Sequence, residues 1–203
     1  MNPAVLKRFI VIVAVVTVAM FTLWTVVLPL IEEPPGDYET RQGDILLGEG
    51  KLDEAYAKFT EALRLSPDHR GAMMGRALVH IKAENYPDAV HELTALIDFL
   101  NGHLVSDDAT GRAVLASAYA NRGIVHDRQG RYEQALADYI EALKTDDETL
   151  TGPSLFDKIL YGTPRPSTVR DRARYLYEQL KLPPEERLMR VPEIDAKQRM
   201  YKP

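Results

Sequence analysis

Three stretches of the chain are variants of one another. LDEAYAKFTEALRLSPD (Leu52 to Asp68) recurs as YPDAVHELTALIDF (Tyr86 to Phe99) and as YEQALADYIEALKTDD (Tyr132 to Asp147). With Ala55, Ala89 and Ala135 in register, the intervals are 34 and 46 residues, the second being the first plus a 12-residue insertion. Phe59, Leu93 and Tyr139 stand four residues on, Ala62, Leu96 and Ala142 three further, and Gly43, Ala77 and Gly123 lie twelve residues before the opening alanine. Steps of three and four place side chains on one helix face, and a fixed period of this length marks stacked units rather than one irregular core. An ordinary amphipathic bundle would also repeat Ala and Leu at helical spacing. It would not produce three ordered matches with Gly50 and Gly130 at the turns.

The pattern resembles the tetratricopeptide repeat family over residues 36–149. GDILLGEGKLDEAYAKFTEALRLSP and GIVHDRQGRYEQALADYIEALKTD carry the resemblance in repeats one and three. Repeat two departs from it, with Ala83-Glu84-Asn85 in place of the turn glycine and Leu96 where a small residue is usual. The resemblance implies an all-α solenoid of three units. In each, two antiparallel helices approach closely at small residues while an aromatic or Leu knob fills the gap. The insertion LVSDDATGRAVL (Leu104 to Leu115), with Asp107, Asp108 and Thr110 as a loop and helix start, predicts lengthened flanking helices. A terminal repeat needs a cover. Thr168 to Leu182 offers one, because Val169, Ala173, Leu176 and Leu180 form an apolar stripe opposite Arg170, Arg174 and Glu178. Between repeats and cap, GPSLFDKILYGTPRP (Gly152 to Pro166) predicts a short helix over Leu155 to Leu160.

Phe9 to Ile31 reads FIVIVAVVTVAMFTLWTVVLPLI, 23 residues without a charge. About 20 such residues cross a hydrocarbon core as a helix. A cleaved signal peptide has a shorter apolar region and a small-x-small site, whereas Leu28, Pro29, Leu30 and Ile31 stand where that site would fall. The segment is therefore expected to stay as an anchor. Lys7 and Arg8 precede it, and the first cation after it is Arg41. Cations are retained on the cytoplasmic side, so the amino terminus is expected inside a bacterial inner membrane and the soluble body in the periplasm. Trp24 suits an interfacial position, and Pro29 with Pro34-Pro35-Gly36 predicts a short, stiff linker.

Charge narrows the partners. Residues 1–31 carry +2, residues 32–164 carry −11 and residues 165–203 carry +4, within a net charge of −5. An acidic body repels phosphate backbones, which argues against nucleic acid as a partner. There is no cysteine, hence no thiolate metal site and no thiol nucleophile. No Gly-rich phosphate loop, G-x-S-x-G or H-E-x-x-H occurs, and no two of His69, His80, His91, His103 and His126 fall three or four residues apart. His80 and His126 occupy equivalent places in repeats two and three and read as packing residues. No catalytic residue, cofactor or metal is expected.

The resemblance implies that function lies in binding a protein segment in the concave groove lined by the first helix of each repeat. By register those positions are Arg41, Asp44 and Leu47; Met74, Leu78 and Ile81; and Ala120, Asn121, Ile124 and Arg128. Some members grip a terminal carboxylate there with Lys, Arg and Asn. This chain keeps Arg41, Asn121 and Arg128 in comparable places, and repeat two supplies apolar side chains, so an apolar helix or extended segment is the expected guest. Leu78 and Ile81 could equally pack between repeats.

The tail, Pro183 to Pro203, lacks periodicity but carries Leu188, Met189, Val191, Ile194, Met200 and Tyr201 among basic residues. It is expected to dock, either back on the acidic repeats or around a partner. The predicted order is thus a cytoplasmic N-terminus (1–8), a transmembrane helix (9–31), a linker (32–36), three repeats (37–149), a connector with capping helix (150–182) and an extended tail (183–203). Two roles fit: a scaffold or assembly factor holding membrane or periplasmic proteins, or a permanent accessory subunit of a respiratory or photosynthetic membrane complex.

Overall fold

The computed structural model of the chain describes residues 3–27, 33–146, 150, 168–195, 198, 200 and 201. Helix α1, Pro3–Thr22, runs into one π-helical turn, Leu23–Val27. None of the candidate span Pro3–Val26 is buried, and its 24 residues extend about 36 Å, enough to cross a hydrocarbon core of about 30 Å. The helix starts six residues before the uncharged run and so includes Lys7 and Arg8. Thr22 and Thr25 donate their hydroxyls to the carbonyls of Val18 and Phe21, both at 2.8 Å, so these two polar groups bring their own acceptors into an apolar medium.

Six further helices form three pairs: α2 (Asp37–Gly48) with α3 (Leu52–Leu65), α4 (Arg70–Lys82) with α5 (Tyr86–His103), and α6 (Ala109–Arg128) with α7 (Tyr132–Thr145). The first helices also touch one another, α2 against α4 and α4 against α6, forming an inner face. Every regular helix or strand element among the described residues is helical.

The repeated residues do the packing. Ala55, Ala89, Ala135, Phe59, Leu93, Tyr139, Ala62, Leu96 and Ala142 are all fully buried. A Cβ built on Gly43 would lie 2.6 Å from the Phe59 ring, one on Gly75 2.3 Å from it, and one on Gly123 2.7 Å from the Tyr139 ring. Phe59 therefore sits between α2 of its own repeat and α4 of the next. Leu96 is buried where a small residue was expected, and the stack accommodates it.

All three pairs turn with one hydrogen-bond pattern. Lys51, Asn85 and Arg131 donate their backbone N–H to Leu46, His80 and His126, each at 2.9 Å, and the preceding residues Gly50, Glu84 and Gly130 donate to Leu47, Ile81 and Asp127. This six-to-one closure requires a left-handed residue. Gly50 and Gly130 supply it at φ 78° and 75°, and Glu84 adopts it at φ 56° despite its side chain.

The insertion is taken up as helix. α5 has 18 residues and α6 has 20, against 14 in α3 and α7, and the Asp108 carboxylate caps α6 by accepting from the Gly111 N–H at 2.6 Å. The capping helix, Val169–Leu180, packs on α7. Its Val169, Ala173 and Leu176 are buried with Ala135, Tyr139, Ala142 and Leu150, while Arg170, Arg174 and Glu178 face solvent. Residues 151–167, including the short helix expected over Leu155 to Leu160, and residues 28–32, with Pro29, lie outside the described residues.

Candidate interaction surface

The residues expected to line the groove divide by depth. Leu47, Met74, Leu78, Ile81, Ala120, Asn121 and Ile124 are buried, Leu78 and Ile81 within the core cluster that joins repeats one and two to α6. Arg41 is exposed and ion-paired with Glu33, and Asp44 and Arg128 are half-buried. Arg41, Asp44 and Arg128 thus stand at the surface of these helices, over an apolar layer packed between the repeats. One polar side chain, Asn121, is set into that layer with no exposed surface of its own.

The tail lies on Asn121. The amide Nδ2 donates to the Tyr201 carbonyl at 2.6 Å, and Oδ1 accepts from the Tyr201 N–H at 2.8 Å. The Asn121 side chain thereby makes the two bonds that a neighbouring strand would make. Met200 packs on the cluster that joins repeats one and two to one side of α6, while Tyr201 packs on the cluster of repeat three and the capping helix. Consecutive residues serving two clusters are what an extended segment provides. The Tyr201 hydroxyl accepts from the Val169 N–H at 3.3 Å, and burial pushes its pKa up. Met189 packs on the second cluster, Leu188 is exposed and Val191 is half-buried. The Ile194 side chain lies outside the described residues.

A buried polar network joins tail, cap and repeat three. Arg172 donates from Nε and Nη2 to the two Asp127 oxygens, both at 2.7 Å, and Nη2 also reaches the Met189 carbonyl at 3.0 Å. Asp195 stands 3.3 Å from Nη1. Arg172 is 3% exposed and Asp127 5%, so the bidentate pair is withdrawn from water. The Tyr139 hydroxyl donates to Asp127 at 3.2 Å and accepts from Gln198 Nε2 at 2.7 Å. Burial first, and then the Asp127 charge, hold its pKa well above the usual phenol value.

A second device recurs inside the repeats. Arg122 grips both Asp138 oxygens, at 2.9 and 2.7 Å, and donates to Thr94 at 3.0 Å, tying α6 to α7 and α5. Arg76 pairs with Glu92 at the equivalent place in repeat two. In repeat one the same positions hold Gln42 and Lys58. Sequence reading missed both devices, although Arg172 falls three residues after Val169 and four before Leu176, on the face that packs. His80 is half-buried, edge-on to Tyr56 at 5.3 Å between ring centroids. His126 is 8% exposed and 3.7 Å from Asp138; its burial outweighs that carboxylate and lowers its pKa.

An open cavity of about 710 Å³ lies where the α3–α4 and α5–α6 turns meet. Its charged and imidazole side chains have partners: Arg70 with Asp108, His69 with Asp37, Asp68 with Ser66, and His103 with the Phe99 carbonyl. Among the described residues no three of His, Asp and Glu converge as a metal site would require.

These features define a helical-repeat protein whose inner face carries an extended segment. Residues 40–101 match one tetratricopeptide repeat model and residues 116–148 another, so the chain carries tetratricopeptide repeats over those stretches, and such repeats are protein–protein interaction modules. A similar solved structure is the Arabidopsis OM64 TPR domain, 17% identical, the overlap covering 69% of this chain and 94% of that one at a TM-score of 0.48. No curated protein matches the chain.

Proposed function

We propose that the chain is a membrane-anchored interaction module that scaffolds the assembly of a membrane or periplasmic protein complex. α1 fixes it in a bacterial inner membrane with the amino terminus in the cytoplasm, and the repeats stand in the periplasm. The observation that carries this reading is a 24-residue apolar helix, none of it buried, on the same chain as tetratricopeptide repeats. Lys7 and Arg8 in the first turns of α1, ahead of the uncharged run that opens at Phe9, with no further cation until Arg41, support the orientation. The inner face of α2, α4 and α6 is the partner surface. Arg41, Asp44 and Arg128 form its rim and Leu47, Met74, Leu78, Ile81, Asn121 and Ile124 its floor.

Protease treatment of spheroplasts tests the placement. Digestion of the repeats from outside, with the α1 fragment kept in the carbonate-washed membrane, is the expected result. A water-soluble product lacking the first thirty residues would overturn it. Crosslinked pull-down in detergent then tests the role: substoichiometric membrane or periplasmic partners are expected of an assembly factor. A stoichiometric complex surviving gel filtration identifies a permanent accessory subunit instead.

A further inference from the structure

The tail occupies the surface that the preceding reading assigns to partners. Its hold at Asn121 goes through the Tyr201 main chain, which every extended segment possesses. Asn121 is 0% exposed, and among the described residues its side chain makes one other hydrogen bond, a 3.5 Å contact to the Met74 sulfur, a weak acceptor. Without a covering strand the amide faces water, and a dry side chain laid over it must bring a donor and an acceptor of its own. The site is built for backbone. Side-chain selection comes from the two neighbouring clusters, one receiving Met200 and the other Tyr201.

The tether is short. Twenty-one positions separate Leu180, where the capping helix ends, from Tyr201. A flexible link of that length would hold its end at an effective concentration on the order of millimolar, and this one is pinned on the way, at Met189 by Arg172 and at Gln198 by Tyr139, which keeps the end closer still. A free segment meets a site already filled, and its apparent affinity is reduced by the fraction of molecules whose tail is off.

We propose that the tail is a built-in competitor for the inner face, and that its replacement is an extended segment of a partner protein carrying an apolar residue followed by an aromatic one. The proposal rests on the inner face being the partner surface, but not on the compartment or on any particular client. Association through this site is then set by tail release, and a partner that offers a second foothold displaces the tail where an isolated segment does not.

A fluorescein-labelled peptide of residues 188–203, LMRVPEIDAKQRMYKP, tests this with the full chain in detergent micelles. Wild type is expected to bind it weakly. A Met200→Ser/Tyr201→Ser chain, whose tail end has lost the two side chains that seat it beside Asn121 while Met189 and Gln198 keep their partners, is expected to bind at least tenfold tighter, and adding Asn121→Ala is expected to return binding to the wild-type level. Equal binding to wild type and the tail variant, or none to a tail variant that keeps its helix content, overturns the proposal. So does a concentration-dependent dimer of wild type that exchanges tails between copies. Hydrogen exchange of the wild-type chain gives a result even where a variant fails to fold. The Tyr201 amide is expected to exchange through local opening, at least a hundredfold faster than the buried amides of α6. Exchange of both at one rate means that the tail leaves only when the protein unfolds, and the proposal fails. These outcomes are read without a client, so failure to recover a complex in the pull-down bears only on the proposed function.

Discussion

At the scale of single residues, close approach decides what is tolerated. Gly75 faces the Phe59 ring so tightly that a methyl group would lie 2.3 Å from it, whereas a methyl on Gly48, at the end of α2, would touch nothing within 4 Å. Gly75→Ala is expected to cost about 2 kcal/mol through overpacking. Gly48→Ala is expected to be neutral or to stabilise by up to about 1 kcal/mol, because alanine favours the helix. Thermal melts of the two variants side by side check both. His126 makes a pH prediction. Burial lowers its folded-state pKa below the unfolded value of about 6.5, so the unfolded chain binds the proton more readily. Its contribution is complete above that value and is lost as pH falls below it toward the folded-state pKa. The melting temperature is therefore expected to drop between pH 7.5 and 5.5 by more in wild type than in His126→Gln. An equal drop in both would place the titration elsewhere.

At the scale of elements, the repeat was legible where side chains repeat and hidden where they do not. Ala55, Ala89 and Ala135 with Phe59, Leu93 and Tyr139 announced the stack because the knob and the small residue facing it are both side-chain choices. The Glu84 turn escaped because its geometry is imposed by the closure between α4 and α5 rather than by a glycine. Left-handed backbone costs a side-chain-bearing residue about 1–2 kcal/mol, and glycine returns about 0.5–1 in unfolded-state entropy. Glu84→Gly is therefore expected to stabilise the chain by about 0.5–1 kcal/mol in denaturant titration. The Arg76–Glu92 and Arg122–Asp138 pairs had a signal that pairwise reading overlooks: an arginine immediately before the small residue of the first helix, and an acid three residues after the opening alanine of the second. The hold on the tail had almost none, since main-chain bonds to Tyr201 leave no mark on residue type. Asn121 was read as part of a groove, and the structure shows which strand lies on it.

At the scale of the whole molecule, the Asp127–Arg172 pair fastens the cap to the repeats. Arg172→Met keeps the side-chain bulk but strands a buried carboxylate, and a loss of about 3 kcal/mol is expected. Adding Asp127→Leu is expected to recover most of it, because the cost lies in the orphaned charge. Melts of the single and double variants decide this. The longest repeat helix extends the point. α6 gives Val114, Leu115, Ala118 and Val125 to one apolar cluster and Ala116, Ala120 and Ile124 to the other. Like a keel, it belongs to both sides at once, and neither half of the array can shed its partner without stripping a flank of the same beam. Calorimetry is expected to record one peak for the array rather than a staircase of units peeling from the ends.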